Sequence, residues 1–519
     1  MAVEERTAVI SGEGSSGGTD PDTGSPTAPP RSAVAAATAA GAPTLLGRLG
    51  RLRAAGYWTT PRRVRAITAA VLAALLLMIG LTASLLTGAR DSVDAIGHHT
   101  APQAERAADL YFALSDMDAQ AANLLLVGAD PQDADKRKAV HDTYEQRRGQ
   151  ADSDLEQATE AVGGSASARK AAQGELDALG QYEALVARMD EQEATAKAAP
   201  GRPPADALAT YRQATDLLRA QLLPGADQVA SANASAVNQR YSDEQSALGS
   251  GIWELLGSGL LALLALAVLQ RTLAVRYRRL LSPPLLLAGV VTAAGLVWAL
   301  TLSSGTSDKL HIAKVEAYDS VISLGRARAV AYDSNADESR WLADPARADQ
   351  YQQSYLAKSQ QIVGLDGVTG YPGYLPQLTS AVDAHRAHGA TVDFHGYLGD
   401  ELRNITFSGE QQAADDVLND YLAYQRDDSH IRDLNGQGKL DDAITFDTGT
   451  QPGQSDGDFT ALSDAFDKVI GINQQAFDQA VTDGDDQLGV GAVAGLGVLA
   501  AAALALVLLA VRPRLREYR

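Results

Sequence analysis

Four stretches of this chain stay apolar far longer than the rest: 67–86, 252–269, 285–302 and 488–511. Each holds roughly 18–24 residues, enough at about 1.5 Å per residue to cross about 30 Å of hydrocarbon. A core helix of a soluble protein shows a polar face over such a length, so four membrane-spanning helices are predicted. Glu254 is the one acid within them, at the start of the second run, where an interfacial carboxylate still reaches water. The first run follows more than sixty residues and is too extended for a cleaved leader, so it reads as an uncleaved anchor.

Between the runs the pattern changes to an apolar stripe of period seven. In 91–249 it passes through Leu110, Leu114, Met117, Ala121 and Leu124, then Val140, Tyr144, Ala151, Leu155, Ala158 and Val162. It returns in Leu176, Leu179, Tyr182, Val186 and Met189, and again in Leu208, Tyr211, Thr215, Leu218 and Leu222. Gly163-Gly164 and "APGRPP" (199–204) punctuate it. Four such stripes predict an antiparallel four-helix bundle. The second long segment starts alike, with Val315, Tyr318, Ile322, Ala329 and Tyr332, and ends on a seam from Phe459 through Leu462, Phe466, Val469, Asn473 and Ala476 to Ala480. Its middle is looser: "GLDGVTGYPGY" (364–374) and "LNGQGKLDDAITFDTGTQPGQSDGD" (434–458) read as elaborated loops or a broken helix. No clear breaker separates the last stripe of either segment from the span that follows, so long rods are expected to run on into the bilayer.

The order span, helical segment, span occurs twice. "GADPQD" in the first segment aligns with "LADPAR" in the second at an offset of 214, close to the spacing of the first and third spans, which makes the chain read as a duplicated unit. The shared Ala-Asp-Pro has a mechanical reading: Asp130 and Asp344 cap a helix start while Pro131 and Pro345 occupy its first turn.

Charge sets the expected orientation. Six arginines and no acid lie between Arg48 and Arg65, and "RTLAVRYRRLLSPP" (271–284) presents Arg271, Arg276, Arg278 and Arg279. The tail "RPRLREYR" (512–519) sets four arginines against Glu517. The long segments are acidic, about −12 for 91–249 and −18 for 305–487, within a chain of 519 residues and net charge −20. By the positive-inside rule both termini and the basic hairpin face the cytoplasm and both long segments lie outside. Tyr57, Trp58 and Tyr277 fall at the inner interface, and Trp253 and Trp298 near the outer one. The predicted fold class is therefore an all-α membrane protein with four transmembrane helices and two extracytoplasmic four-helix-bundle, sensor-like domains. The expected division is a disordered tail 1–46, a basic segment 47–66, spans at 67–87, 251–270, 285–303 and 488–511, bundles at 88–250 and 304–487, the hairpin 271–284 and the tail 512–519.

Candidate chemistry is sparse. There is no cysteine, which excludes disulfides and thiolate metal sites. His385, His388 and His395 with Asp383 and Asp393 have metal-compatible spacing, but His385 continues the apolar series Leu375, Leu378 and Val382. Asp447, Asp456 and Asp458 lack the ligand spacing of a calcium loop. No phosphate loop, nucleophile elbow or kinase signature is present, and the basic clusters beside spans read as membrane anchors, not as nucleic-acid contacts. No enzyme, cofactor or metal is expected. Spans with so few ionisable groups do not fit a transporter, and Gly289, Gly295, Gly491, Gly495 and Gly497 read as close-packing positions. Arg326 and Arg328, with Arg340 beside Trp341, are the guanidinium groups that an amino-acid or dicarboxylate ligand would need. Salt bridges to the surrounding acids are the more ordinary use of them.

The layout from about residue 60 to 519, with two span-bracketed helical segments, the hairpin "RTLAVRYRRLL" and the basic tail, resembles the GlnX-type four-span membrane proteins of actinobacteria. That resemblance implies a partner glutamate-binding lipoprotein outside and the soluble Ser/Thr protein kinase G inside, and a role in relaying aspartate and glutamate availability. It carries over no site residue. Expected partners are then the lipid bilayer, the lipoprotein, the kinase and possible further copies of the chain. Two other readings stand beside this one: a direct small-molecule receptor, and a structural envelope scaffold.

Overall fold

Helical rods carry the chain back and forth between an apolar region and a polar head. The computed structural model describes residues 60–161, 166–277, 282–388 and 392–516. Among these residues all regular structure is helical, apart from one isolated bridge between Gly364 and His395. The first half runs through α1 (Thr60–Asp94), a π-helical segment (Ala95–Thr100), α2 (Ala101–Val127), a 3-10 turn (Pro131–Asp133), α3 (Ala134–Ala161), α4 (Ala166–Ala196), α5 (Ala205–Leu217), a π segment (Leu218–Leu222) and α6 (Leu223–Tyr277). The second half begins with α7 (Pro283–His311), a π segment (Ile312–Tyr318), α8 (Asp319–Ala343), a 3-10 turn (Pro345–Arg347) and α9 (Ala348–Ile362). It continues through α10 (Tyr371–His388), α11 (Tyr397–Arg403), α12 (Glu410–Gly436), α13 (Leu440–Asp447), α14 (Ser455–Gln487) and α15 (Val490–Arg516). The tail 1–46, most of the basic segment 47–66, and Arg278 and Arg279 lie outside the described residues, as does the side chain of Arg276. Arg271 is exposed at the end of the second rod.

Four helical runs are long and apolar enough to cross a membrane: Arg62–Val127, Ala205–Val275, Pro283–Ala343 and Ser455–Pro513. At most 39% of the apolar window of any of them is buried, and Leu260, Leu264, Val290 and Val498 each expose more than 60% of their surface. Apolar surface on that scale is stable in lipid, where a helix satisfies its own backbone. The few hydroxyls there also satisfy themselves: Thr82 donates to the Met78 carbonyl (2.8 Å), Thr292 to Ala288 (2.7 Å) and Ser303 to Ala299 (2.9 Å). Of the glycines expected to allow close packing, Gly495 does so, since a Cβ there would sit 2.4 Å from the Trp298 ring. Gly295 has ordinary room against Leu499, and Gly289, Gly491 and Gly497 meet nothing within 4 Å. Their small size is not used between the helices of this chain.

The first three rods pass from span to head without a break, which for the second is the continuity expected from its stripe. The fourth does not. The Leu488 amide donates to Gly484 and the Gly489 amide to Asp486 (3.1 Å), a tightened turn that ends α14 before α15 restarts. The 434–458 stretch, expected as an elaborated loop or a broken helix, contains the short α13, because Ala443 and Ile444 give it an apolar face that packs against the first half.

The rods meet in a neck built on Val93, Ile96, Ala104, Val237, Leu310, Ala317, Phe477 and Val481. Beyond it lie two cores. The first contains most of the predicted stripe positions, from Leu110 to Leu124 and from Leu179 to Met189, closed by Tyr211, Leu218 and Leu222. Leu176 departs from that pattern and is exposed. The second core joins α8 to α14 around Tyr355, Tyr374, Tyr421, Phe459 and Phe466. The halves are not separate bundles. α2 lies alongside α8, and Ala336, Leu342, Ile431 and Ile444 of the second half belong to the core of the first.

Candidate functional site: the seam between the halves

The seam is built where two apolar helices break their own pattern. α2 carries Asp116 and Asp118 inside a run that is otherwise small or apolar, and both are buried. α8 goes further. Its stretch "DSNADESR" (333–340) holds seven polar residues of eight, and all eight are buried. A helix that is polar all round yet sealed on every side must satisfy each group internally, because an unpaired buried charge costs several kcal/mol, roughly 3–5 when a partner is removed.

Arg340 is the hub. It is fully buried, and its Nε donates to the Tyr211 hydroxyl (2.7 Å), its Nη1 to Asp337 (2.7 Å) and its Nη2 to Asp118. Asp118 also accepts from Thr215 (3.0 Å) and Tyr182 (3.2 Å), so one carboxylate ties α2, α4 and α5 to α8. Asp337 accepts from Arg219 and, at 2.6 Å, from Lys358, which pairs with Asp333 at 2.7 Å. Three carboxylates (Asp118, Asp333, Asp337) thus face three cations (Arg219, Arg340, Lys358) in one closed network. Burial alone would raise the Asp337 pKa, but Lys358, Arg219 and Arg340 hold it well below the usual carboxylate range. Burial also lowers the Lys358 pKa, which Asp333 and Asp337 oppose. Ser339 adds a neutral bond across the seam, donating to Asn123 at 2.7 Å.

The opposite face of α8 carries a second cluster. Ser455 donates to Glu338 at 2.8 Å, and the Glu338 carboxyl faces Asp447. Burial and the neighbouring acid raise the Glu338 pKa, and burial pushes Asp447 up to about 7, so the pair keeps a proton. Alongside, Arg432 donates to both oxygens of Asp428 (3.0 Å each), with its guanidinium over the rings of Tyr371, Trp341 and Tyr355 at 4.4, 4.6 and 5.4 Å.

Residues 92–242 match the model of the actinobacterial sensor domain. No curated protein and no solved structure matches the chain. The match spans the π segment before α2, the whole first half of the head and the start of α6. It therefore includes Asp118, Tyr182, Tyr211, Thr215 and Arg219. The protein carries an actinobacterial sensor-type domain, and its role is one of sensing or signalling. The multi-pass helical layout fits a membrane-bound sensor. Arg340, Asp337 and Lys358, the second-half side of the network, lie beyond the matched stretch.

The sensor-type domain thus takes part of its buried chemistry from the other half. The residues singled out in the sequence are spread along this seam. Arg340 is consumed by the network, and Trp341 stacks on Arg432. Arg328 pairs with Asp467 and lies 3.9 Å over the Phe112 ring, leaving little of it open. Arg326 is different: its Nη2 donates to Ser231 (3.0 Å), stands 3.4 Å from Asp227, and lines a cavity. Asp130 accepts from the Gln132 amide (2.9 Å), with Pro131 in the first turn. Asp344 does not cap. Its side chain accepts no backbone bond; instead it receives Arg212 of α5 (Nε, 2.8 Å) and the Tyr351 hydroxyl (3.1 Å), while Pro345 keeps the first-turn position. The Arg212 guanidinium outcompetes a cap because a charge-assisted bidentate pair is worth more than one amide bond. His385 pairs with Asp415 (2.9 Å) and His395 stands 3.6 Å from Asp366, so these two have separate partners; the His388 side chain lies outside the described residues.

Sequence reasoning missed Asp118, Asp333, Asp337, Arg219 and Lys358. A signal for the first existed, since carboxylates at 116 and 118 interrupt an apolar helix. The run 333–340 has no apolar stripe, and composition cannot tell a solvated polar helix from a buried one whose charges are paired.

Proposed function

We propose that this protein is a non-enzymatic transmembrane signal relay. The head lies outside the cell, receives a report of amino-acid availability, especially aspartate and glutamate, through a solute-binding lipoprotein, and passes it through the spans to a cytoplasmic Ser/Thr kinase. The observation that carries this reading is the continuity of three rods from the spans into a seam locked by buried charge. In these three rods a displacement imposed at the seam meets no break in the helix before it reaches the spans. Shifts of about 1–2 Å are the usual scale for such transmission. The basic hairpin between the second and third spans, residues 271–284, is too short to be a signalling domain of its own. The resemblance noted in the sequence supports the kinase and lipoprotein as partners.

The two halves are read as one unit used twice. In support, a π segment precedes the first head helix of each half (Ala95–Thr100 and Ile312–Tyr318), and a 3-10 turn follows it (Pro131–Asp133 and Pro345–Arg347). A second reading, direct reception of a small molecule by the head, is favoured by the cavity beside Arg326.

Spin labels at Arg271→Cys and Arg512→Cys, in the full chain in nanodiscs, test the relay. L-aspartate or L-glutamate with the binding lipoprotein is expected to change the distance between the labels. A change without the lipoprotein selects direct reception, and no change under any condition leaves a scaffold. Because the chain has no cysteine, single-cysteine labelling of intact cells also tests orientation without background. Lys439→Cys is expected to react with an impermeant reagent and Arg271→Cys to be protected. The reverse pattern removes the relay.

A further inference from the structure

The cavity beside Arg326 lies where both halves meet the top of the neck. It has a volume of 280 Å³ and is lined by Tyr111 of α2, Asp227 and Ser231 of α6, Arg326 of α8, Gln361 of α9 and Tyr397 of α11. That is a little below the roughly 300–1,000 Å³ of sites for drug-sized ligands, so its occupant is small. The polar groups around it are under-used. Arg326 spends one nitrogen on Ser231 and on a loose 3.4 Å approach to Asp227, while among the described residues its Nε and Nη1 make no hydrogen bond. The hydroxyls of Tyr111 and Tyr397 and the Gln361 amide also lack a partner there. The other two arginines of α8 are paired: Arg340 in the network, Arg328 with Asp467. Burial raises the pKa of both phenols, so each is a hydrogen-bond donor at neutral pH.

We propose that this cavity binds a small α-amino acid, with its carboxylate on the free edge of Arg326 and its ammonium on Asp227. A guanidinium presents two parallel N–H donors to a carboxylate, and the phenols and the amide supply further neutral contacts. One cation and one anion side by side, 3.4 Å apart on the wall of a small cavity, match an α-amino acid, whose two charges are also adjacent, better than they match a dicarboxylate or a diamine. The position has a consequence. The ligand would touch α6 and α8 together, and these two helices continue into the second and third spans, so occupancy sets their separation. This assignment rests on the sensing role proposed above, and it holds whether the amino acid arrives free or is handed over by a lipoprotein.

Calorimetry on the full chain in nanodiscs tests it, with L-aspartate, L-glutamate and glycine as probes and succinate and putrescine as single-ended controls. Saturable binding of the amino acids is expected, with the controls weaker. Arg326→Gln should weaken amino-acid binding about ten- to hundred-fold, with Arg326→Lys intermediate. Asp227→Asn should weaken the amino acids but not succinate. Should Arg326→Gln fail to fold, Tyr397→Phe serves in its place and is expected to weaken binding several-fold. No saturable heat with wild type, or unchanged binding by Arg326→Gln, overturns the assignment. If wild type binds nothing yet the loaded lipoprotein still moves the span ends, the cavity is refuted and the relay stands. If binding is seen and the span ends stay still, the relay is refuted and the cavity stands.

Discussion

Replacing Arg340 by methionine is the sharpest probe of the seam. The substitution keeps a long, flexible side chain of comparable reach, so it removes charge with little change in packing. What it takes away is defined: the donors to Tyr211 and Asp337 at 2.7 Å and the ion pair with Asp118. What it leaves is Asp118, Asp333 and Asp337 facing Arg219 and Lys358, one uncompensated negative charge in a volume closed to water. Removing one partner of a buried pair costs about 3–5 kcal/mol, because the stranded charge keeps its desolvation penalty. With an unfolding entropy of about 2.1 cal/mol/K per residue, a head of roughly 340 residues loses about 1.4 °C per kcal/mol, so it should melt about 4–7 °C lower. Thermal unfolding in nanodiscs, followed by tryptophan fluorescence, reads this directly because Trp341 adjoins the site. A double-mutant cycle with Asp118→Asn then separates the pair from the rest. Since the two side chains touch, the double variant should be more stable than the sum of the singles predicts, by about 0.5–3 kcal/mol. Arg347→Ala is the control, because its pair with Asp216 is partly exposed and such pairs are worth about 0–1 kcal/mol. If Arg340→Met shifts melting no more than Arg347→Ala does, the seam is not a closed charge network.

Three further outcomes follow from the same geometry. Burial raises Asp447, Glu193, Glu401 and Asp427 to about 7 and Asp154 to about 6, above their unfolded values of about 4. Their stabilisation is therefore fully present below about pH 4 and lost as pH rises through about 7; melting should fall between pH 5 and 8, Asp447→Asn should flatten that fall, and a flat or rising profile in wild type would contradict it. Asp344→Ala should destabilise more than Asp130→Ala, for which a lost cap costs about 0.5–2 kcal/mol, because Asp344 anchors Arg212 across the seam; equal melting points would show that both are simple caps. Gly495→Ala should cost about 1–3 kcal/mol through its clash with Trp298, while Gly491→Ala should be near neutral; in-membrane melting of the two variants reads the contrast.

The parts of this protein legible in its sequence are those where one local pattern has one physical solution. Long uncharged runs have to be helices in lipid, since no other single segment satisfies its own backbone there. The period-seven stripes of the first half, from Leu110 to Leu222, have to be helices with one buried face, and the structure buries most of them, with Leu176 the exception. The glycines of the spans were less informative, because a small residue permits close approach without requiring it; Gly495 is used and Gly491 is not.

Tertiary structure decided everything that depends on two distant segments meeting. Asp118 and Arg340 are 222 positions apart, and nothing in the pattern around either one points to the other. Local pattern reports how a helix divides between an apolar and a polar side, and it assigns polar sides to water. In α8 the polar side is enclosed by the other half of the head, and the charges are tolerable there because the opposite charges arrive from α2, the π segment before α6, and α9. Asp130 and Asp344 make the same point at smaller scale. Both stand in an Ala-Asp-Pro triplet, yet one caps its turn and the other takes an arginine, since Arg212 lies within reach of only the second. Pattern fixes which residues can be helical and which must leave water; the partner that makes a buried charge affordable is set by the packing of the halves.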